Sequence, residues 1–519
     1  MNDHSRRTLC QLTLVLAGLV LCGCSEDPSP ATPVTTVAAA EATAEVETAS
    51  FKSWSGSQTI TLDGDIGEWP DDVAAVADAN WIYFRFKIEG DTRTLQGMDS
   101  AMAIYIDADG DPDTGRPIAE PAVLGGLGAD IEVIFSPRES DAPRVGSGVM
   151  FRVQMPDGTA RVVSHERLGF SFTPTHAAEW YEARIARSSI EELGLDIRGL
   201  GSTGRVAGVV VMYDGRGEVD GWADPFEIAA PSASSLEPQD VRVPTKPNDA
   251  VRVLAYNVER GNPLQAPEPF ARIIRVLDPD VLLFQEWDDE SADGSALQAW
   301  LTAHVDDSVE WQVLKGEAWG VAVASKHPLS GLTPMDVPNP VNARNALRFV
   351  GGLVQTPHGP LAVGSTHLKC CGTKGSREDR QRTAEATVIA EMLAAALDEG
   401  PGSEAWGVVI GGDMNLVGSR PPLDAIARGA DLDGSELAVS EPMRLGDNAM
   451  YTWFDAGNAF TPGRLDYLLY SDAVAEAVNS FVLDTGVMSE AALARVGLDA
   501  DDTSNSDHLP VVLDVRPLK

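Results

Sequence analysis

Basic residues are scarce in this 519-residue chain: 39 Lys and Arg stand against 78 Asp and Glu, a formal charge of -39. A surface of that sign repels polyanions at long range, which argues against a protein whose main task is gripping nucleic acid with a basic patch. It leaves room for an enzyme that cuts phosphate esters, because bound divalent cations invert the local sign of an acidic cleft. Cysteine is sparse too, with five residues. Cys10, Cys22 and Cys24 fall at the N-terminus, and Cys370 and Cys371 are neighbours. No disulfide framework follows from two neighbours; the pair is either two buried thiols or a strained vicinal disulfide. Beyond the N-terminus there is no long apolar run, which excludes a polytopic membrane protein. What remains, 44% hydrophobic and 23% charged, is the composition of folded protein, and the length calls for more than one domain.

The N-terminus is built for export. Arg6 and Arg7 precede the apolar run Leu12 to Leu21, which is too short to span a bilayer. The run ends in Leu21-Cys22-Gly23-Cys24, which resembles the bacterial lipobox. That resemblance implies a lipoprotein signal peptide over 1–23, lipidation of Cys24, and an exported, membrane-anchored lipoprotein, periplasmic or at the cell surface. The alternative is a plain secretory signal or an uncleaved anchor. Residues 24–50 are rich in Ala, Thr, Pro and Glu, the composition of a disordered tether.

From 51 to 230 the pattern has period two. In Trp81 to Ile88, the residues Ile82, Phe84, Phe86 and Ile88 share one face and Arg85 and Lys87 the other. Further short runs bounded by Gly, Pro and Asp predict an all-β sandwich. Within it Asp107, Asp109, Asp111 and Asp113 alternate. Pro112 and Ile118 stand where an EF-hand needs Gly and an acid, but four carboxylates at this spacing fit a structural Ca²⁺, the alternative being a solvated turn. The segments Leu62 to Pro70, Ile106 to Gly115 and Gly128 to Asp130 resemble carbohydrate-binding and DOMON-like sandwich families, which implies a glycan or surface polymer as partner. A proline-rich linker, 231–249, follows.

Residues 250–519 alternate apolar runs with helical stretches, the mark of an α/β domain. Polar residues recur where the apolar runs end: Asn257, Glu286, His367, Asp413 with Asn415, Asp466 and Ser506-Asp507-His508. Taken alone each is a turn residue, a helix cap or a structural histidine.

In order, Asn257, Gln285-Glu286, Thr366-His367-Leu368, Gly412-Asp413-Met414-Asn415, Arg464-Leu465-Asp466-Tyr467 and Ser506-Asp507-His508 resemble the endonuclease/exonuclease/phosphatase family. This group contains DNase I, AP endonucleases, neutral sphingomyelinases and inositol-polyphosphate 5-phosphatases. The resemblance implies a four-layer α/β sandwich, two mixed sheets flanked by helices, and Mg²⁺ or Mn²⁺ as cofactor. Phosphodiester hydrolysis of that kind needs a cation to neutralise non-bridging oxygens and a base for water, and hard cations take oxygen ligands, so Glu286 and Asp507, with Asn257 beside them, are the expected metal ligands. It also implies roles: Asp413 orients or deprotonates the attacking water, Asn415 binds phosphate, His508 pairs with Asp466, and His367 donates to a phosphoryl oxygen or assists the leaving group. An arginine is expected near the strand before His367; Arg344 and Arg348 both qualify, and Arg344 is favoured. The resulting expectation is an exported, lipid-anchored phosphodiester hydrolase with an accessory sandwich. Its substrate is a phospholipid head group, a small phosphodiester or nucleic acid. The rival readings are a surface polysaccharide-binding lipoprotein with an inactive C-terminal domain, and a phosphomonoesterase.

Overall fold

The computed structural model describes residues 52–88, 92–118, 126–138, 147–155, 157–188, 205–223, 225–230, 232, 234, 236–289, 291, 293–316 and 320–518. The readings placed on 1–50, Cys24 among them, lie outside the described residues. Among the described residues no helix is long and apolar enough to cross a membrane.

The period-two pattern of the N-terminal half builds one eight-stranded and one four-stranded sheet. In the strand Trp81–Lys87, Ile82, Phe84 and Phe86 enter the same core as Ile104, Val133 and Phe151 from the larger sheet. The other face of the smaller sheet is solvated only in part: Arg85 is half-buried and Lys87 exposed, but the rest of it is covered. Tyr83 and Val76 are buried there with Ile60, Leu62 and Trp69, against Ala449 of the C-terminal half.

The same seam carries buried charge. Arg184 donates to Asp447 through both terminal nitrogens, at 2.6 and 2.7 Å, and Arg444 pairs with Asp447 and Asp484. The Asn448 amide donates to the Tyr83 hydroxyl at 2.7 Å. Removing one partner of such a pair strands a buried charge at a cost of about 3–5 kcal/mol. Residues 47–519 accordingly form one compact unit. Even the proline-rich stretch expected as a linker is tied down: Gln239 bridges to Met488 and hydrogen bonds to Val487, and Val241 and Val243 pack on the C-terminal core.

In the C-terminal half a seven-stranded and a six-stranded mixed sheet lie face to face with helices outside. The site-bearing strands are β1 (Val251–Asn257), β2 (Val281–Gln285), β3 (Phe349–Thr356), β4 (Gly359–His367), β5 (Gly407–Asp413), β6 (Asp466–Tyr470) and β7 (Val511–Pro517). Their middles are largely apolar on both faces because each face is covered, the exception being the buried ion pair of Arg252 on β1 with Asp514 on β7. On β1, Val251, Val253 and Ala255 enter the core between the sheets, while Leu254 and Tyr256 pack under the outer helices. On β5, Val409 points inward and Val408 and Ile410 outward.

Pairing then sets the polar strand ends side by side. The parallel pair β1/β2 aligns Asn257 with Gln285, and the parallel pair β4/β5 aligns His367 with Asp413. Antiparallel β6 begins opposite them, with Asp466 beside Asp413. The row depends on Gly412, whose φ is +127°; a Cβ there would lie 2.3 Å from the Thr366 carbonyl oxygen and 2.6 Å from Gln285 Nε2.

Candidate active site

Seven of the residues nominated from sequence meet on this rim. Asp413 is at the centre, almost fully buried. Its Oδ2 accepts hydrogen bonds from Asn415 Nδ2 at 2.8 Å and Asn257 Nδ2 at 3.2 Å. His367 Nε2 lies 3.5 Å and His508 Nε2 3.8 Å from the same oxygen. Asn257 Nδ2 also reaches Glu286 Oε1 at 3.2 Å, which stands 3.8 Å from His367 Nε2. On the far side His508 Nδ1 bonds Asp466 Oδ2 at 2.7 Å. Thr452 Oγ1 donates to the same Asp466 oxygen at 2.7 Å, which fixes the carboxylate.

Burial and charge separate the two histidines. Burial works against charge on His508, yet the Asp466 and Asp413 carboxylates outweigh it and push its pKa up to about 10. Burial pulls His367 well below its ordinary value, helped by the charges of Arg348, His508 and Lys369. The two imidazoles at the same rim are thus biased in opposite directions, His508 towards the charged form and His367 towards the neutral one. Burial, reinforced by Asp466 and Glu286, lifts Asp413 to about 7 even though His508 opposes it.

Asp507, in the loop before β7, is held by Trp453 from the loop before β6. Its Oδ2 accepts from Trp453 Nε1 at 2.9 Å, and its own N–H donates to Glu259 Oε2 at 3.2 Å. Glu259 went unnoticed in the sequence, although it stands two residues after Asn257 and its N–H donates to Asn257 Oδ1 at 3.0 Å. Burial raises its pKa, and so do the neighbouring Asp507 and Glu286 charges. Of the eight non-glycine residues with positive φ among the described residues, Glu259, Arg260, Glu286 and Asn415 lie in these loops. Backbone strain of this kind concentrates where side chains must be aimed against local preference.

Arg344 is not brought to the rim. It is exposed in the turn before β3, where its N–H bonds Asn342 Oδ1 at 3.3 Å. Arg348 is the arginine beside the site. β3 pairs antiparallel with β4, Phe349 opposite Thr366, so the next residue outward falls next to His367. The Arg348 carbonyl accepts the His367 N–H at 3.1 Å. Beneath it, the helix Arg377–Asp398 supports the loop that follows His367: Arg382 Nη1 holds the carbonyls of Lys369 and Cys371, and Glu385 accepts the Lys369 N–H at 2.9 Å. Cys370 and Cys371 are free thiols on that loop, half-buried and exposed, with sulfurs 2.9 Å apart.

In the sandwich the run of four aspartates divides. Ligand oxygens of Asp107 and Asp109 come within 4.8 Å of each other and of Asp130, while Asp111 and Asp113 point to solvent. Burial and the neighbouring carboxylates raise Asp107 to about 6 and Asp130 to about 7. Asp130 was not nominated as a ligand, because the strand pairing that returns it to Asp107 spans more than twenty residues.

Residues 254–508 match the family model described as Endonuclease/Exonuclease/phosphatase family. Among solved structures, a humanised Danio rerio TDP2 is similar over 52% of this chain and 100% of its own, at 15% identity and a TM-score of 0.34. The catalytic domain of human Nocturnin is similar over 53% and 97%, at 15% identity and 0.36. The AP endonuclease LMAP of Leishmania major is similar over 54% and 93%, at 14% identity and 0.35. No curated protein matches the chain by sequence.

The Asp466–His508 pair yields a titration test. A folded pKa near 10 lies above the ordinary value of 6.5. The stability His508 contributes is thus whole below the unfolded pKa and is lost as pH rises through the folded one. Asp466→Asn should bring the imidazole titration down towards neutrality, read by NMR of the His508 ring, and shift the alkaline loss of stability to lower pH. An unchanged titration would show that Asp466 does not set the charge of His508.

Proposed function

Because residues 254–508 are a domain of the endonuclease/exonuclease/phosphatase family, we propose that the protein is a divalent-metal-dependent phosphodiester hydrolase. The observation that carries this reading is the rim itself: a carboxylate raised to about 7, one imidazole biased towards the charged form and one towards the neutral, and a further set of carboxylates converge there. Burial and the nearby Asp507 and Glu286 carboxylates raise the cost of ionising Glu259; hard oxygen donors gather there, where a cation would offset their charge. Glu286 and Asp507 would hold Mg²⁺ or Mn²⁺, with Asn257 and Glu259 alongside. When bound, the cation would neutralise charge on the non-bridging oxygens of the ester.

The chain's own residues divide the remaining work. Asp413 has the proton affinity of a base that works near neutral pH, and the amides of Asn257 and Asn415 hold its Oδ2 in place. His508, kept protonated by Asp466, offers Nε2–H towards the charge that develops on the phosphoryl oxygens. His367, neutral and steadied by the Arg348 carbonyl, is available to a phosphoryl or leaving oxygen. Asn415 faces the same space, its left-handed backbone turning it back over Asp413.

With bis-p-nitrophenyl phosphate as substrate, EDTA should abolish turnover and Mg²⁺ or Mn²⁺ restore it. His508→Ala and Asp413→Ala should each lower kcat by at least ~100-fold, the scale of acid/base groups. Glu286→Ala should instead raise the Mg²⁺ concentration needed for half-maximal rate. Turnover that survives both EDTA and His508→Ala would refute the mechanism.

Two further parts of the proposal concern the rest of the chain. The lipobox-like Leu21-Cys22-Gly23-Cys24 supports an exported lipoprotein held to a membrane through Cys24; mass spectrometry should find an acylated Cys24 at the mature N-terminus, and an unmodified start elsewhere would exclude it. The Asp107, Asp109 and Asp130 cluster supports a structural Ca²⁺ in the sandwich. Ca²⁺ should raise the melting temperature of the whole chain, and Asp130→Asn with Asp109→Asn should remove the rise. No rise in the unaltered protein would count against the ion.

A further inference from the structure

Where the sandwich meets the C-terminal half, the two enclose a cavity of about 1090 Å³. Trp81, His165 and Glu166 line it from the sandwich, and it extends to Glu259 and Asp507 on the rim described above. A space of this size accommodates an organic group of moderate size.

The walls are strongly one-sided in charge. Eight carboxylates line the cavity against two guanidinium groups, Arg184 and Arg444, and both of these are already held in ion pairs by Asp447 and Asp484. Such walls repel a polyanionic chain and favour a cation. Glu166 contributes to them from an exposed position in the one-turn helix His165–Leu168. Phe454 adds an aromatic ring, edge-on to His165 with centroids 5.6 Å apart. Aromatic rings attract ammonium groups.

The cavity wall and the rim share a three-residue segment. His165 Nε2 donates to the Asp455 carbonyl at 3.0 Å, which leaves Nδ1 as an acceptor. That Nδ1 is buried and has no hydrogen-bond partner. The Phe454 N–H donates to the Asp507 carbonyl at 2.8 Å, and Trp453 Nε1 donates to the Asp507 carboxylate. The sandwich thus touches the same loop that orients a candidate cation ligand.

We propose that the sandwich is one wall of the substrate site, and that the cavity receives a cationic alcohol group of a small phosphodiester whose phosphate lies against Asp413, His367 and His508. This rests on the phosphodiesterase reading and narrows it: a polynucleotide is the wrong substrate, and the sandwich selects rather than merely tethers.

The full chain with Mg²⁺ is assayed on p-nitrophenylphosphorylcholine, which carries a quaternary ammonium, on bis-p-nitrophenyl phosphate, which does not, and on a single-stranded oligonucleotide. The zwitterionic choline ester should be preferred in kcat/KM. Glu166→Lys should lower kcat/KM for it about fivefold through KM, the scale of one partly screened charge pair. Glu166→Gln should lie between, and neither variant should lower hydrolysis of bis-p-nitrophenyl phosphate, a monoanion without an ammonium group. Equal loss on both esters, no loss on the choline ester, or preference for the oligonucleotide overturns the cavity proposal while leaving a phosphodiesterase. Hydrolysis of none of the three overturns the phosphodiesterase reading and the cavity proposal together.

Discussion

A strand covered on both faces holds a charged side chain only at its ends or where a buried partner neutralises it, as Arg252 of β1 and Asp514 of β7 neutralise each other. That constraint organises the C-terminal half of this protein. β1, β2, β4 and β5 are filled with Val, Leu, Ile and Ala because one face meets the opposing sheet and the other meets helices. Asn257, Glu286, His367 and Asp413 are therefore pushed to one rim, and parallel pairing makes that rim common to neighbouring strands. The loops beyond the rim add what the strands cannot, Asn415 and Glu259 in left-handed conformations and Asp507 beneath Trp453.

Much of this is legible in the amino-acid sequence itself. The apolar runs of 250–519 could be read as doubly covered strands, and their polar ends as one rim, because strand length and side-chain polarity are local properties. The same holds for Ile82, Phe84 and Phe86, whose alternation alone assigns them to the sandwich core. What escaped depended on contacts distant in sequence. Arg344 and Arg348 are equally good candidates by spacing, and only the β3/β4 register separates them. Tyr83 reads as a residue on a solvated sheet face until the C-terminal half is seen to cover it. Asp130 joins Asp107 by strand pairing rather than by the two-residue repeat that drew attention to Asp109, Asp111 and Asp113.

The seam between the halves has the chemistry of a core, not of a hinge. Ile60, Leu62, Trp69 and Tyr83 are as buried as residues within either sheet pair, and Arg184 and Arg444 are enclosed with Asp447 and Asp484. Sliding such a surface would expose apolar area and strand charges together. The sandwich is consequently a fixed boundary of the catalytic half, and whatever enters the space between them meets walls set in place beforehand, the condition under which binding costs little ordering entropy.

Gly412 gives the rim a second kind of requirement. With φ at +127° and no space for a Cβ against the Thr366 carbonyl and Gln285, it is a steric demand placed directly before the residue with the chemical one. The two demands fail differently. A chain that loses Asp413 but keeps the glycine retains an empty but well-formed rim, whereas one that keeps every acid and histidine but acquires a side chain at 412 must part β4 from β5 and scatter them. The reactive residues alone therefore do not make the site; the strands that carry them meet only while position 412 has no side chain.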